Sequence, residues 1–386
     1  MKTFLPTLLL TAFLSLLAPS LLPAQDASPG ATEILIGSSL PLDGAFSAVG
    51  QATKGGMEAA LNAANAKGGV NGRKFRLVSY SDGYDPVLCV KNTLQLINTD
   101  KVFALCSYVG TPTSVKAQPV WQNAKVPVVG FYTGAKALRD PFNRYNIHIR
   151  ASYGAEVKTA VDAFTANLGA SKFAILYQDD AFGDAVKTAT EGALTAKGLA
   201  PVASGSFVRG TLNVEDAVGK IVPAAPNVVV LVGTYAPLAK AITLAKQQGL
   251  AKAVFYTVSF VGPEALAKEL GAATDHVVVT EVVPPYTDAS QPLVASYLAD
   301  LQGGVPSFPS LEAYLNARVL IEGVKGAGAT PTRESLIDAI EAIKPGQIAG
   351  APLAYGAANH QGLSSVYLIA PQGGQWKEIK DWTALK

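Results

Sequence analysis

Two adjacent carboxylates, Asp179 and Asp180 in YQDDAFGD, are of the type that can share acid–base work, one holding a proton while the other accepts one. At the end of a strand such a pair more often caps the next helix by accepting its free amides, and that reading is preferred here. The three histidines, His148, His276 and His360, lie far apart without HExxH or Cys–His spacing, so they outline no metal site. No GxSxG nucleophile elbow occurs, GFYTGAKA and GQATKGG lack the spacing of a phosphate loop, and no GxGxxG follows a strand. Binding is thus better supported than catalysis, and no cofactor is called for. The stretch KVFALCSYVGTPTSV offers hydroxyls, backbone amides and one ring. Thr111 or Thr113 can cap a helix entered at Pro112, leaving amides that accept a carboxylate, while Ser107 adds a hydroxyl donor. An ordinary capped helix uses the same groups, so only convergence with other residues makes this loop a site.

The elements that must bring such loops together alternate strictly. EILIGSSL, RKFRLVSYSD, KVFALCS and VPVVGFY read as strands, separated by helical GQATKGGMEAALNAANAKGG, PVLCVKNTLQLINTD and PTSVKAQPVWQNAK, the last broken or bent at Pro119. From Lys172 the order starts again, with strands KFAILYQD, APVASGSF, NVVVLVG and AVFYTVS and helices between them. Strands spaced by helices require parallel sheets covered on both faces, here two similar doubly wound α/β lobes. The loops at the strand C-termini are rich in Gly, Ser, Thr, Phe and Tyr, the lining of a small-molecule cleft. Three helical segments follow HVVVTEVVPPYT, the third capped at Thr332, and then a β-rich tail in which NHQGLSS and PQGGQ read as hairpin turns.

A chain of 386 residues exceeds one comfortable core, which supports two domains. Apolar residues at 49% and charged residues at 16% exclude disorder, and a net charge of +2 without a basic block excludes the footprint of a nucleic-acid binder. The opening residues combine Lys2, an apolar run over Leu8 to Leu17, then prolines and small residues, the order of a secretory signal cleaved after Ala24 or Ala27. An uncleaved anchor is the alternative, disfavoured by Pro6, Pro19 and Pro23. In an exported protein the two cysteines, Cys89 and Cys106, are expected to form a disulfide, with two unlinked buried thiols as the alternative.

The segment from Ile36 through NAKGGVNGR to SDGYDP resembles the opening of the periplasmic ligand-binding proteins of branched-chain amino-acid ABC transporters. The resemblance runs from about Ile34 to the C-terminus. It implies a type I periplasmic-binding fold whose two lobes are joined by a three-crossover hinge and close on a solute. On that basis the signal spans residues 1–24, one lobe takes 32–150 with 283–348, and the other takes 151–282 with 349–386. It also implies delivery to a membrane permease and its ATPase, a periplasmic monomer, and no enzymatic activity. The family's ligand contacts fall on Phe46 and Ser47, on Ser107, Tyr108, Val109, Gly110 and Thr111, on Thr133, Gly134 and Ala135, and on Tyr153 and Tyr235. One position departs. Amino-acid binders of the family place an acid after the second lobe's fourth strand to meet the ligand ammonium, and here that place holds Ser259, with Glu264 coming later. A buried ammonium without an anion costs several kcal/mol, so an amine-free carboxylate or an amide is favoured; Glu264 or Asp179 in the cleft would restore the amino-acid reading. A ligand sensor of the same fold and a secreted α/β hydrolase are the alternatives.

Overall fold

The structure is a computed structural model that describes Met1 and residues 29–385. The expected signal over residues 1–24, apart from Met1, lies outside the described residues. Strands apolar at every position have two faces to bury, and this explains the parallel sheets that dominate the chain. In the first lobe β1 (Glu33–Leu40), β2 (Lys74–Ser81), β3 (Ala104–Val109), β4 (Val128–Tyr132) and β5 (Asn146–Ile147) lie in the order β2-β1-β3-β4-β5, all parallel. Helices α1 (Ser47–Ala66), α2 (Pro86–Asn98) and α3 (Thr111–Asn123) connect them. The chain then enters α4 (Tyr153–Leu168) and builds β6 (Phe173–Asp179), α5 (Ala181–Thr195), β7 (Pro201–Val208), α6 (Glu215–Ile221) and β8 (Val228–Val232). It continues through α7 (Tyr235–Ala245), β9 (Val254–Thr257), α8 (Pro263–Leu270) and β10 (Val277–Glu281).

Three helices then return to the first lobe: α9 (Pro292–Asp300), α10 (Phe308–Gly326) and α11 (Arg333–Glu341). Helix α10 is buried along most of its length because it fills the space between α1 and strands β3 and β4. The approach is tight enough that a Cβ on Gly56 would stand 1.9 Å from the Ser310 carbonyl oxygen, so only glycine fits there. The tail comes back to the second lobe as β11 (Tyr367–Gln372) and β12 (Gln375–Glu378), an antiparallel hairpin on β10 turning at Gly373 and Gly374. The second sheet reads β12-β11-β10-β9-β8-β6-β7. Both lobes therefore repeat one strand order, and each reverses between its first and third strand, opening a crevice at the carboxyl edge. Among the described residues no helix is long and apolar enough to cross a membrane.

Several local expectations change. Helix α3 runs unbroken through Pro119. The segment NHQGLSS forms no strand hairpin; it runs beside the exit from β5, where the His360 carbonyl accepts the His148 amide at 2.8 Å and the His148 carbonyl accepts the Gly362 amide at 2.8 Å. It is a passage between lobes. Cys89 and Cys106 are separate buried thiols instead of a disulfide. The reason is the pleat of β3: Cys89 packs on α2 with Leu105 and Tyr108, whereas Cys106 points into the cluster with Ile36 and Met57 on the opposite side of the sheet. Thr332 does cap α11, its hydroxyl accepting the Ser335 amide at 3.1 Å.

Candidate ligand-binding cleft

The two carboxyl edges face each other, and what meets across them is chiefly aromatic. From the first lobe come Phe46 ahead of α1, Tyr84 in the loop after β2, and Tyr132 at the end of β4; from the second come Tyr235 at the start of α7 and Phe260 between β9 and α8. Phe260 sits at the centre, its ring centroid 4.9 Å from Phe46, 5.8 Å from Tyr84, 5.7 Å from Tyr132 and 4.4 Å from Phe182 of its own lobe. Phe46 also stacks on Tyr235 at 5.6 Å. Tyr153, at the start of α4, packs on Phe182 at 5.5 Å. Polar contacts cross at the same level. The Tyr132 hydroxyl donates to the Ser259 carbonyl at 3.0 Å, and Arg209 donates to the Tyr84 carbonyl while its guanidinium lies 4.7 Å over the Tyr84 ring. Beside Tyr153 an open groove of about 680 Å³ separates the lobes, lined by Gly134, Ser152, Ala181 and Asp184 among others.

The hydroxyl-rich wall belongs to the first lobe. Gly110, at φ 99°, is the residue from which α3 departs, and a Cβ there would fall 2.4 Å from Tyr84 Cε2. Neither threonine caps α3 as expected: the Thr113 hydroxyl donates backwards to the Gly110 carbonyl at 3.0 Å, and Thr111 Oγ1 meets Thr133 Oγ1 at 2.7 Å. Without a side-chain cap, the leading amides of α3 lie outside its own hydrogen-bond ladder. The Ala135 amide donates to Thr133 Oγ1 at 3.2 Å, and the Tyr153 amide donates to the Gly134 carbonyl at 2.9 Å. Burial pushes the Tyr153 phenol up to about 12, so it stands protonated as a donor, and its oxygen has no hydrogen-bond partner among the described residues. Burial likewise raises the Tyr235 phenol, against the Ala48 amide and the Ser47 hydroxyl across the cleft.

Phe46, Ser47, Gly110, Thr111, Thr133, Gly134, Ala135, Tyr153 and Tyr235 thus converge on the gap. Others do not. Tyr108 lies behind the first sheet, bonded to Thr93 Oγ1 at 2.9 Å and packed on Trp121 at 5.3 Å. Val109 joins the core on the opposite side, and the Ser107 hydroxyl accepts from Asn316 on α10 at 3.0 Å. Ser259 turns into the hinge: its amide donates to Glu156 at 2.9 Å and its hydroxyl to the same carboxylate at 3.0 Å, with Arg150 beside it. Asp179 is exposed, and Asp180 caps α5 by accepting the Phe182 amide at 2.9 Å and the Gly183 amide at 3.2 Å. Tyr84, Tyr132, Phe182, Arg209 and Phe260 are cleft residues that were not singled out from the sequence; all five stood in strand-end loops recognised as aromatic or polar.

Behind the aromatics the hinge buries charge. Arg150 lies 3.6 Å from Glu156 of α4 and 3.6 Å from Glu312 of α10, all essentially without exposure, with Glu281 nearby. Burial raises all three carboxyls, Glu312 to about 7 and Glu281 well above the ordinary range. Glu156 receives the Ser259 and Thr280 donors as well as Arg150, all of which favour its charged form against the cost of burial.

Residues 33–375 match the sequence model of periplasmic binding proteins. The crystal structure of a possible leucine/isoleucine/valine-binding protein from Rhodopirellula baltica is 32% identical, superposes with a TM-score of 0.87, and covers 92% of this chain and 98% of its own. The chain belongs to the periplasmic binding protein family. It is a solute-binding receptor of the ABC-importer kind and not an enzyme. Other relatives of this receptor include a substrate-binding periplasmic protein from Ralstonia solanacearum, 28% identical with a TM-score of 0.81 over 88% of this chain and 97% of that one. The Leu/Ile/Val-binding protein homolog 7 of Brucella suis is 25% identical over 80% of this chain and 82% of its own length.

Proposed function

We propose that the receptor captures a small carboxylate with an apolar body, its head among the α3 amides, Thr111, Thr133 and Tyr153, and its body between Phe46, Tyr235 and Phe260. The observation that carries this reading is the orientation of the β9–α8 loop. Ser259 is committed to Glu156 and Arg150, Phe260 occupies the cleft side, and the half-buried Glu264 is turned to the start of α10, where it accepts the Phe308 amide at 3.1 Å. No carboxylate on that loop is then available for a ligand ammonium, and burying one unpaired costs several kcal/mol.

The lobes are taken as residues 32–150 with 283–348 and 151–282 with 349–386, in keeping with the packing of α10 on α1 and of β11 on β10. Opening about the passages between them admits the solute, and closure presents it to a permease served by an ATPase. The receptor acts as an exported monomer after removal of its leader.

The test is a thermal-shift series on protein freed of carried ligand, with phenylacetate, hexanoate and 4-methylpentanoate against leucine, isoleucine and valine. A ligand at a hundred times its Kd stabilises by about 2.7 kcal/mol. The carboxylates are expected to raise Tm and the amino acids to leave it unchanged. A large shift with leucine and none with 4-methylpentanoate, which lacks only the amine, refutes the amine-free reading.

A further inference from the structure

Two guanidinium groups lie against the cleft aromatics, and they differ in what holds them. Arg150 is enclosed by the hinge carboxylates Glu156 and Glu312. Arg209, in the loop between β7 and α6, reaches from the second lobe across to the first, where it covers Tyr84 and donates to its carbonyl. Among the described residues its one ion pair, Nε to Asp180 at 3.4 Å, is not a hydrogen bond, and Nε has no hydrogen-bond partner. Asp180 does not depend on it, since its oxygens already accept the Phe182 and Gly183 amides and the Gln178 side-chain amide at 2.5 Å. Under the guanidinium, the Tyr84 phenol is buried beside the Gln178 side chain and makes no hydrogen bond of good geometry among the described residues. The Tyr84 ring borders Gly110, where α3 begins. A guanidinium of the second lobe whose Nε makes no hydrogen bond and a buried phenol of the first therefore adjoin the place where α3 offers its amides.

We propose that Arg209 is the specificity-determining cation of the cleft: it reads the negative charge of the solute's head group from the second lobe while Tyr84 and the α3 amides hold it from the first. The proposal rests on the carboxylate reading above, but it concerns the anion and not the amine. A carboxylate bridged in this way ties the lobes together, so recognition of charge and closure become one event. A guanidinium suits this role because its planar fork can keep the Tyr84 carbonyl on one edge and turn another N–H to the ligand.

The experiment compares each acid with its neutral amide, phenylacetate with phenylacetamide and phenylalanine with phenylalaninamide, by calorimetry on wild type, Arg209→Gln, Arg209→Lys and Tyr84→Phe. A hydrogen bond to a charged group corresponds to roughly tenfold or more in affinity. Wild type is expected to prefer an acid over its amide by at least about that factor. Arg209→Gln should remove most of the preference, Arg209→Lys should restore part of it, and Tyr84→Phe should reduce it by roughly threefold to tenfold. The two pairs separate the readings: binding of phenylalanine but not phenylacetate refutes the amine-free solute, while the acid-to-amide ratio still tests Arg209. An unchanged ratio in Arg209→Gln overturns the proposal, as does a failure of all four compounds to bind wild type.

Discussion

Replacing Phe260 by alanine should open the ligand-free receptor. Three of the four rings around Phe260 belong to the opposite lobe, with centroids 4.9 Å (Phe46), 5.8 Å (Tyr84) and 5.7 Å (Tyr132) away. Each such pair contributes about 0.5–1.5 kcal/mol beyond its buried area, so the closed form loses about 1.5–4.5 kcal/mol relative to the open one. At about 1.4 kcal/mol per factor of ten, the closed-to-open ratio falls by one to three decades. Small-angle scattering of the ligand-free variant should show a larger radius of gyration than wild type. The loss should fall mainly on closure, because within its own lobe Phe260 is left with Phe182 at 4.4 Å. An unchanged radius together with a fall in Tm typical of a core Phe→Ala replacement, about 3–5 kcal/mol, would refute the reasoning: Phe260 would then be a core residue of the second lobe and not the contact between lobes.

Two other outcomes follow from buried groups. Cys89 and Cys106 should both be unreactive to a thiol reagent in the native protein and both titrate after unfolding, since burial raises each thiol, Cys106 to about 12; a single thiol count of zero under denaturing, non-reducing conditions would restore the bridge. The hinge makes stability depend on pH. Burial raises Glu312 to about 7 from the ordinary 4.5, so the folded chain holds its proton where the unfolded chain has lost it. Stability is therefore greater near pH 5 and declines as pH rises through about 7. Glu312→Gln, which keeps the neutral shape, should flatten this fall and raise Tm at pH 8 relative to wild type; an equally steep decline in the variant would exclude Glu312 as its source.

The alternation of strands and helices was legible because a doubly covered sheet leaves its strands apolar throughout, as in β8, where every residue is buried. The aromatic character of the strand-end loops was legible too, including those that hold Phe46 and Tyr235, whereas Tyr153 was reached only through the family resemblance. What could not be read was direction. Ser107, Tyr108 and Val109 are consecutive, yet one faces α10, the next Trp121 and the third the opposite core, because a strand pleat and a positive φ at Ser107 send them apart. The same pleat separates the cysteines. Arg209 stood in FVRGTLN with nothing local to mark it, since its partners Tyr84 and Asp180 come from other loops and, for Tyr84, from the other lobe.

The return of α10 to the first lobe and of β11 to the second also governs the order in which the molecule can be completed. As the chain emerges from its N-terminus, the first core waits for residues beyond 300 to cover α1, and the second sheet waits for its last strands beyond 366. Neither half can reach its final packing early in synthesis, so each lobe is completed only when nearly the whole chain is available.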